Sequence, residues 1–219
     1  SKLICELPYG TARESFEWYA AFRYAGAKAE QKTDVQTVTV QQGEVTAVEA
    51  PALLITELLP DSTNVGPEND TADGYEFVEL YNNSDKAINL KDYRLYYNNN
   101  LAAGANDVLW VSNLDVTVDS GNCVVFWIKN GKNDNLTITD FNKFYKVNLI
   151  EGKNLFELHN GGMANNDPRG LRITTNVHDE LDYVTYNTSG VKAPHGNKSI
   201  TYRYNGQSGK NEMVSNVST

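Results

Sequence analysis

Apolar and polar positions alternate along most of this chain in short period-two runs, separated by clusters of Gly, Pro, Asn and Asp. That pattern predicts strands joined by turns, an all-β chain. Residues 53–83, LLITELLPDSTNVGPENDTADGYEFVELYNN, organise the rest. They read as an apolar strand, a polar loop over 61–74, and a second strand over 75–81. In that second strand Val78 and Leu80 share a face with Glu76, while Phe77, Glu79 and Tyr81 take the other. Further strands are predicted over 92–97, 108–111, 123–128, 155–158, 170–174, 181–186 and 199–204, with a short edge element at 87–90. Residues 123–128, CVVFWI, are apolar on both faces and belong inside a sheet. One helix is predicted, over 139–146. Thr139 would be its N-cap, Asp140 would sit at its positive end, and Phe141, Phe144 and Tyr145 share a face. The polar residues from 206 onward are expected to fray.

The first fifty residues have a different character. Residues 14–24, ESFEWYAAFRY, put Phe16, Trp18, Ala20, Phe22 and Tyr24 on one face and predict a single long strand. Residues 2–7 and 34–40 would supply two more. Three strands with one aromatic face do not close a sandwich. The segment resembles the closing strands of an immunoglobulin or fibronectin-III-like domain; the other reading is an extension of the following sheet. Pro51 cannot donate to a ladder and restricts Ala50, so the boundary is drawn there, giving units 1–50 and 51–219.

Composition narrows the function classes. Hydrophobic residues make up 40% of the 219 and charged residues 21%, which excludes global disorder. The net charge of −9 and the absence of any Lys/Arg cluster leave no basic face for nucleic acid. No run approaches 18 apolar residues, so no membrane-spanning helix is expected. Ser1 is not a natural start, and the chain reads as a piece of something longer. Cys5 and Cys123 each lie in an apolar run and are expected to be buried free thiols, a disulfide between them being the alternative.

Residues 76–95, EFVELYNNSDKAINLKDYRL, resemble the signature of the lamin tail domain family. In that family a strand ends in an Asn turn and crosses through a short apolar segment to the next strand. Ile88, Leu90, Tyr93 and Leu95 fit its apolar positions. Residues 116–128, VTVDSGNCVVFWI, fit the Gly turn and Trp-bearing strand; 54–59 and 181–186 fit the opening and closing strands of bacterial members. The resemblance covers about residues 52–187. It implies an immunoglobulin-like β-sandwich with one short helix in an insertion at 129–166. It further implies a secreted or surface-attached bacterial context, where such domains accompany hydrolases without being catalytic themselves.

The residues offer little chemistry of their own. His159, His178 and His195 fall in no ligand spacing, and two distant cysteines make no zinc knuckle. Asp61, Asn64, Asp70 and Asp73 crowd one loop and form a candidate calcium site of hard oxygen donors, though not in EF-hand spacing. No other cofactor is expected. Glu57 and Glu79 sit in strands that would be neighbours; facing carboxylates can do acid/base work, but structural pairing with Arg94 or Arg172 is the plainer reading. Tyr96, Tyr97 and Asn99 are candidate sugar contacts, offering stacking faces beside an adaptable amide. The expected function is therefore a non-catalytic structural, adhesive or partner-binding module, monomeric, with an unidentified protein or glycan as partner. The alternative is a carbohydrate-binding accessory module of an exported hydrolase.

Overall fold

The structure is a computed structural model and describes residues 15–22, 29–39, 47–66, 72–101, 107–188 and 196–218. Cys5, His195 and Asp70 lie outside them. Two compact units divide the chain, Ser1–Thr46 and Ala47–Thr219, so the break falls a few residues before Pro51.

The first unit holds β1 (Ser15–Trp18), β2 (Ala21–Phe22), β3 (Gln31–Lys32) and β4 (Gln36–Thr39). β1 pairs with β4 and β2 with β3, both antiparallel. The long strand predicted over 14–24 is thus interrupted at Tyr19 and Ala20. There the Ala20 N–H turns to the Thr33 hydroxyl at 2.9 Å, a side-chain bond in place of a ladder bond. None of the side chains described in this unit is buried, and Trp18 is 46% exposed. These short ladders give no support to an immunoglobulin- or fibronectin-like domain here.

The second unit is a β-sandwich. In chain order its elements begin with β5 (Leu53–Leu59), β6 (Phe77–Asn82), β7 (Ile88–Asn89), β8 (Tyr93–Asn98) and β9 (Asp107–Val111). β10 (Thr117–Val118), β11 (Cys123–Lys129), α1 (Ile138–Tyr145) and β12 (Leu155–His159) follow. β13 (Arg169–Thr175), β14 (Glu180–Tyr186), β15 (Lys198–Asn205) and β16 (Lys210–Ser218) complete it. One sheet runs β12-β11-β6-β5-β15-β16 and the other β14-β13-β8-β9. Leu53, Ile55, Val78, Leu80, Val124, Phe126 and Ile128 from the first meet Leu95, Leu171, Ile173, Val184 and Tyr186 from the second in one buried core. Each fully buried Leu or Ile there is worth about 2–3 kcal/mol.

A bulge in β5 decides which face each residue takes. Leu53 and Ile55 point into the core, yet so does Leu58, because the register with β6 shifts between Ile55 and Glu57. Without the extra residue Glu57 would follow Ile55 into the apolar interior; with it, Glu57 is turned to the outer face, directly opposite Glu79. β15 pairs with β5 at Leu58 and Glu57, and Ile55 beyond them takes side-chain partners. Its N–H donates to Asp182 Oδ2 at 2.8 Å, and its carbonyl accepts the Asn211 amide at 2.7 Å.

The outer face of the six-stranded sheet carries a second cluster. Leu59, Phe77, Val125, Trp127 and Leu155 are covered by Phe141 of α1. The helix begins two residues earlier than Thr139 predicts. Thr137 is the N-cap, and a capping box with Asp140 at N3 satisfies the Thr137 and Asp140 N–H groups. Asp140 then sits where the Thr137 N–H bond holds its carboxyl below the usual range. Lys146 closes the helix in the left-handed conformation. The segment carrying α1 is more than an insertion, since β11 and β12 run parallel and α1 lies on the crossover that such a pair requires. The tail expected to fray instead forms β16, paired along its length with β15.

Candidate functional site

Three places carry the candidate chemistry. The first is the sugar-contact set on β8. Tyr97 is 5% exposed; its ring stacks on Trp110 with centroids 4.4 Å apart, and its hydroxyl lies 2.8 Å from that of Tyr186 and accepts the Ala164 N–H. It is core, because β8 alternates and Tyr97 shares the inward phase of Leu95. Tyr97 is therefore removed from the sugar-contact set. Tyr96 takes the other face, half-buried, with Arg94 and His178 at its side. Asn99 is also half-buried, just past the end of the strand.

The second place is a groove on the outer face beside α1. Glu57 and Glu79 are cross-strand partners, and neither forms an ion pair with a described residue. Arg172, offered as a partner from sequence, pairs with Asp107 and Glu180 instead. Arg94 turns to the Asn176 carbonyl. Thr56 donates to Glu79 at 2.7 Å. Burial pushes Glu57 above its ordinary carboxylate range, the Ser199 hydroxyl opposes that, and the charge of Glu79 adds to it. Burial, then the same Glu79 charge and a hydrogen bond to it, push the Cys123 thiol up to about 12, so this half-buried free cysteine is a poor nucleophile. Phe77, Val125, Phe141, Tyr145, Val147 and Leu149 wall a cavity of about 300 Å³ around the two carboxylates.

The third place is the loop region expected to bind calcium. Asp61, Asn64 and Asp73 line one polar cavity of about 630 Å³. The structure adds a residue that the loop pattern does not include. Glu76, 1% exposed, lines the same cavity, as do Asn165 and Asn166. A signal for Glu76 existed in its phase: it shares a face with Val78 and Leu80, and an acid on an apolar face needs a reason.

The Asn turn explains itself at atomic level. Asn82 is fully buried; its amide donates to the carbonyls of Lys86 and Val118, at 2.8 and 2.9 Å, and its Oδ1 accepts the Ser84 N–H and hydroxyl. One side chain thereby closes the turn after β6 and fastens it to β10. The family model for the Lamin Tail Domain matches residues 46–188, from the first residues of the sandwich to the end of β14. The chain belongs to the lamin tail domain family. This lamin tail domain is an immunoglobulin-like module, with β15 and β16 pairing onto it beyond the matched residues. It is 31% identical over 205 residues, 93% of this chain, to the uncharacterized protein YvnB of Bacillus subtilis (strain 168). The chain spans 15% of that protein's length.

Several buried polar residues of this lamin tail domain escape sequence reasoning. Lys129 is 2% exposed, yet its ammonium meets the carbonyls of Asn133 and Leu136 at 2.9 and 2.8 Å and sits 3.8 Å from the Trp127 ring centroid. Asn133 is fully buried and bonds the Gly74 and Ile128 carbonyls. These bonds pin the β11–α1 crossover to the loop before β6. Nothing in a strand-then-loop pattern announces them. No helix among the described residues is long and apolar enough to cross a membrane.

Proposed function

We propose that this lamin tail domain is a structural or partner-binding module of a larger secreted or surface-attached bacterial protein, and that the groove beside α1 is its binding surface. The observation that carries this reading is the facing pair Glu57 and Glu79. Like charges directly opposite one another on a sheet destabilise it. Such a pair persists where something else draws on it, and here no described cation does. Apolar walls around two carboxylates suit a lysine or arginine side chain of a protein partner, its stem on Phe141, Val147 and Leu149 and its head between the acids. The family membership and the small fraction of its long relative that this chain spans support a module within a longer protein.

The test is a titration of the 219-residue chain with labelled peptides rich in lysine and arginine, beside acidic controls and a glycan array. Basic peptides are expected to bind, with affinity falling as salt rises. The Glu57→Gln/Glu79→Gln double variant is expected to lose that binding without loss of fold. Binding unchanged in the double variant would overturn the assignment of the groove. Glycan binding abolished by Tyr96→Ala, without peptide binding, would favour the carbohydrate-accessory reading instead.

A further inference from the structure

The polar cavity at the loop end of the sandwich holds two carboxylates that the fold itself does not fully use. Glu76 Oε1 accepts the Met163 N–H at 2.8 Å, but Oε2 receives no hydrogen bond from a described residue. Asp73, 6% exposed, has Oδ2 on the Asn165 amide at 3.0 Å and Oδ1 without a partner. Gly162 stands over the open oxygen. Its φ is +106°, and a Cβ built there would lie 3.1 Å from Glu76 Oε2, so glycine is what keeps that oxygen accessible from the cavity.

Two buried carboxylates, each with an open oxygen, are costly to ionise together without a counter-charge. The cation in the cavity lining is Lys132, whose side chain is exposed while the two acids are buried. The lining contains no His or Cys. It is a set of carboxylate, amide and backbone oxygens on loops, which suits a hard cation of variable coordination. No three His, Cys, Asp or Glu side chains among the described residues form a metal-holding group, so neutral oxygens must make up most of any shell. Calcium accepts such a mixture, whereas magnesium demands a tighter octahedron.

We propose that this cavity is a calcium site in which Asp73 and Glu76 supply the charge and the amide oxygens of Asn64, Asn165 and Asn166 share the coordination. The site differs from the one the loop pattern suggests, since its deepest ligand, Glu76, comes from the start of β6. It is independent of the groove beside α1. Calcium would fasten the loop before β6 to the loop after β12, so its signature is a stability change.

The test is thermal unfolding of the 219-residue chain in EDTA and in rising CaCl₂, with MgCl₂ as control. At calcium a hundredfold above its dissociation constant the melting temperature should rise by about 5–10 °C. The rise should be absent in Glu76→Gln and Asp73→Asn. Isothermal titration calorimetry of the unmodified chain provides a readout that does not depend on either variant folding. A flat melting curve together with no binding heat in millimolar calcium would overturn the proposal, and so would an undiminished shift in both variants.

Discussion

Asp182 and Glu76 are both carboxylates buried in the same sandwich, and they are held in opposite ways. Asp182 Oδ2 takes the Ile55 N–H and the Asn211 amide, both at 2.8 Å, and Asn211 returns to the Ile55 carbonyl. The three groups close a triangle at Ile55, next to the bulge in β5. Glu76 takes one backbone N–H and leaves an oxygen turned to a cavity. The difference teaches that burial of an acid does not mark function. What separates the two is whether the surrounding donors are sufficient. Asp182, bonded by two donors from the strands that it joins, is part of the scaffold, and Glu76, with one, keeps an oxygen open to a ligand.

Truncation breaks the comparison most sharply. Asp182→Ala leaves the Ile55 N–H buried without an acceptor and the Asn211 amide with the Ile55 carbonyl alone, and should cost about 2 kcal/mol, read as a lower urea midpoint at unchanged slope. A loss below about 0.5 kcal/mol would mean that water replaces the carboxylate there.

The next effect is in pH. Burial raises Asp182 to about 6, against its hydrogen bonds from Ile55 and Asn211. The folded state therefore keeps this proton up to about pH 6, while the unfolded chain releases it near roughly pH 4. Between those values the folded protein binds more protons, so the contribution of Asp182 to stability falls as pH rises, by about 1 kcal/mol per unit, and is level above the window. Asp140 and Glu212, held below their ordinary range by hydrogen bonds, act in the opposite sense: their contribution is present above the unfolded value and lost as pH falls. Urea midpoints at pH 4–7 should show the Asp182 share as the difference from Asp182→Asn, which removes the titration. The smallest effect sharpens the contrast. Glu76→Gln in EDTA should move stability by less than about 1 kcal/mol, since it breaks no ion pair and keeps the acceptor for Met163.

Much of the fold is legible in the sequence, where one physical rule acts alone. β5 and β11 read as strands because short, mostly apolar runs bounded by turn residues have few other outcomes. The helix reads because Phe141 and Tyr145 recur at helical spacing, although its cap lies at Thr137, outside the apolar run. What stays hidden is what depends on partners remote in the chain. The bulge at Thr56 is invisible in LLITELL, and only the pairing with β6 shows that Glu57 must turn outward. β16 is polar and reads as loose, yet its backbone pairs with β15 and its Asn211 completes the Asp182 triangle. In the candidate site, the acids of the loop are visible from composition. The decisive residue, Glu76, is visible only as an acid in phase with Val78 and Leu80.

The order of strands in the six-stranded sheet also fixes an order in time. β5 finds β6 across one loop, from Leu59 to Phe77, but its other neighbour is β15, where Ile200 meets Leu58 roughly 140 residues later, a closure that is slow because of its length. On a ribosome the apolar segment LLITELL emerges early and keeps an unprotected edge until almost the whole sandwich has been made. Nascent chains crowded on one message would meet through that edge first, so the strand that anchors the finished sandwich is the one most exposed to misassembly during its synthesis.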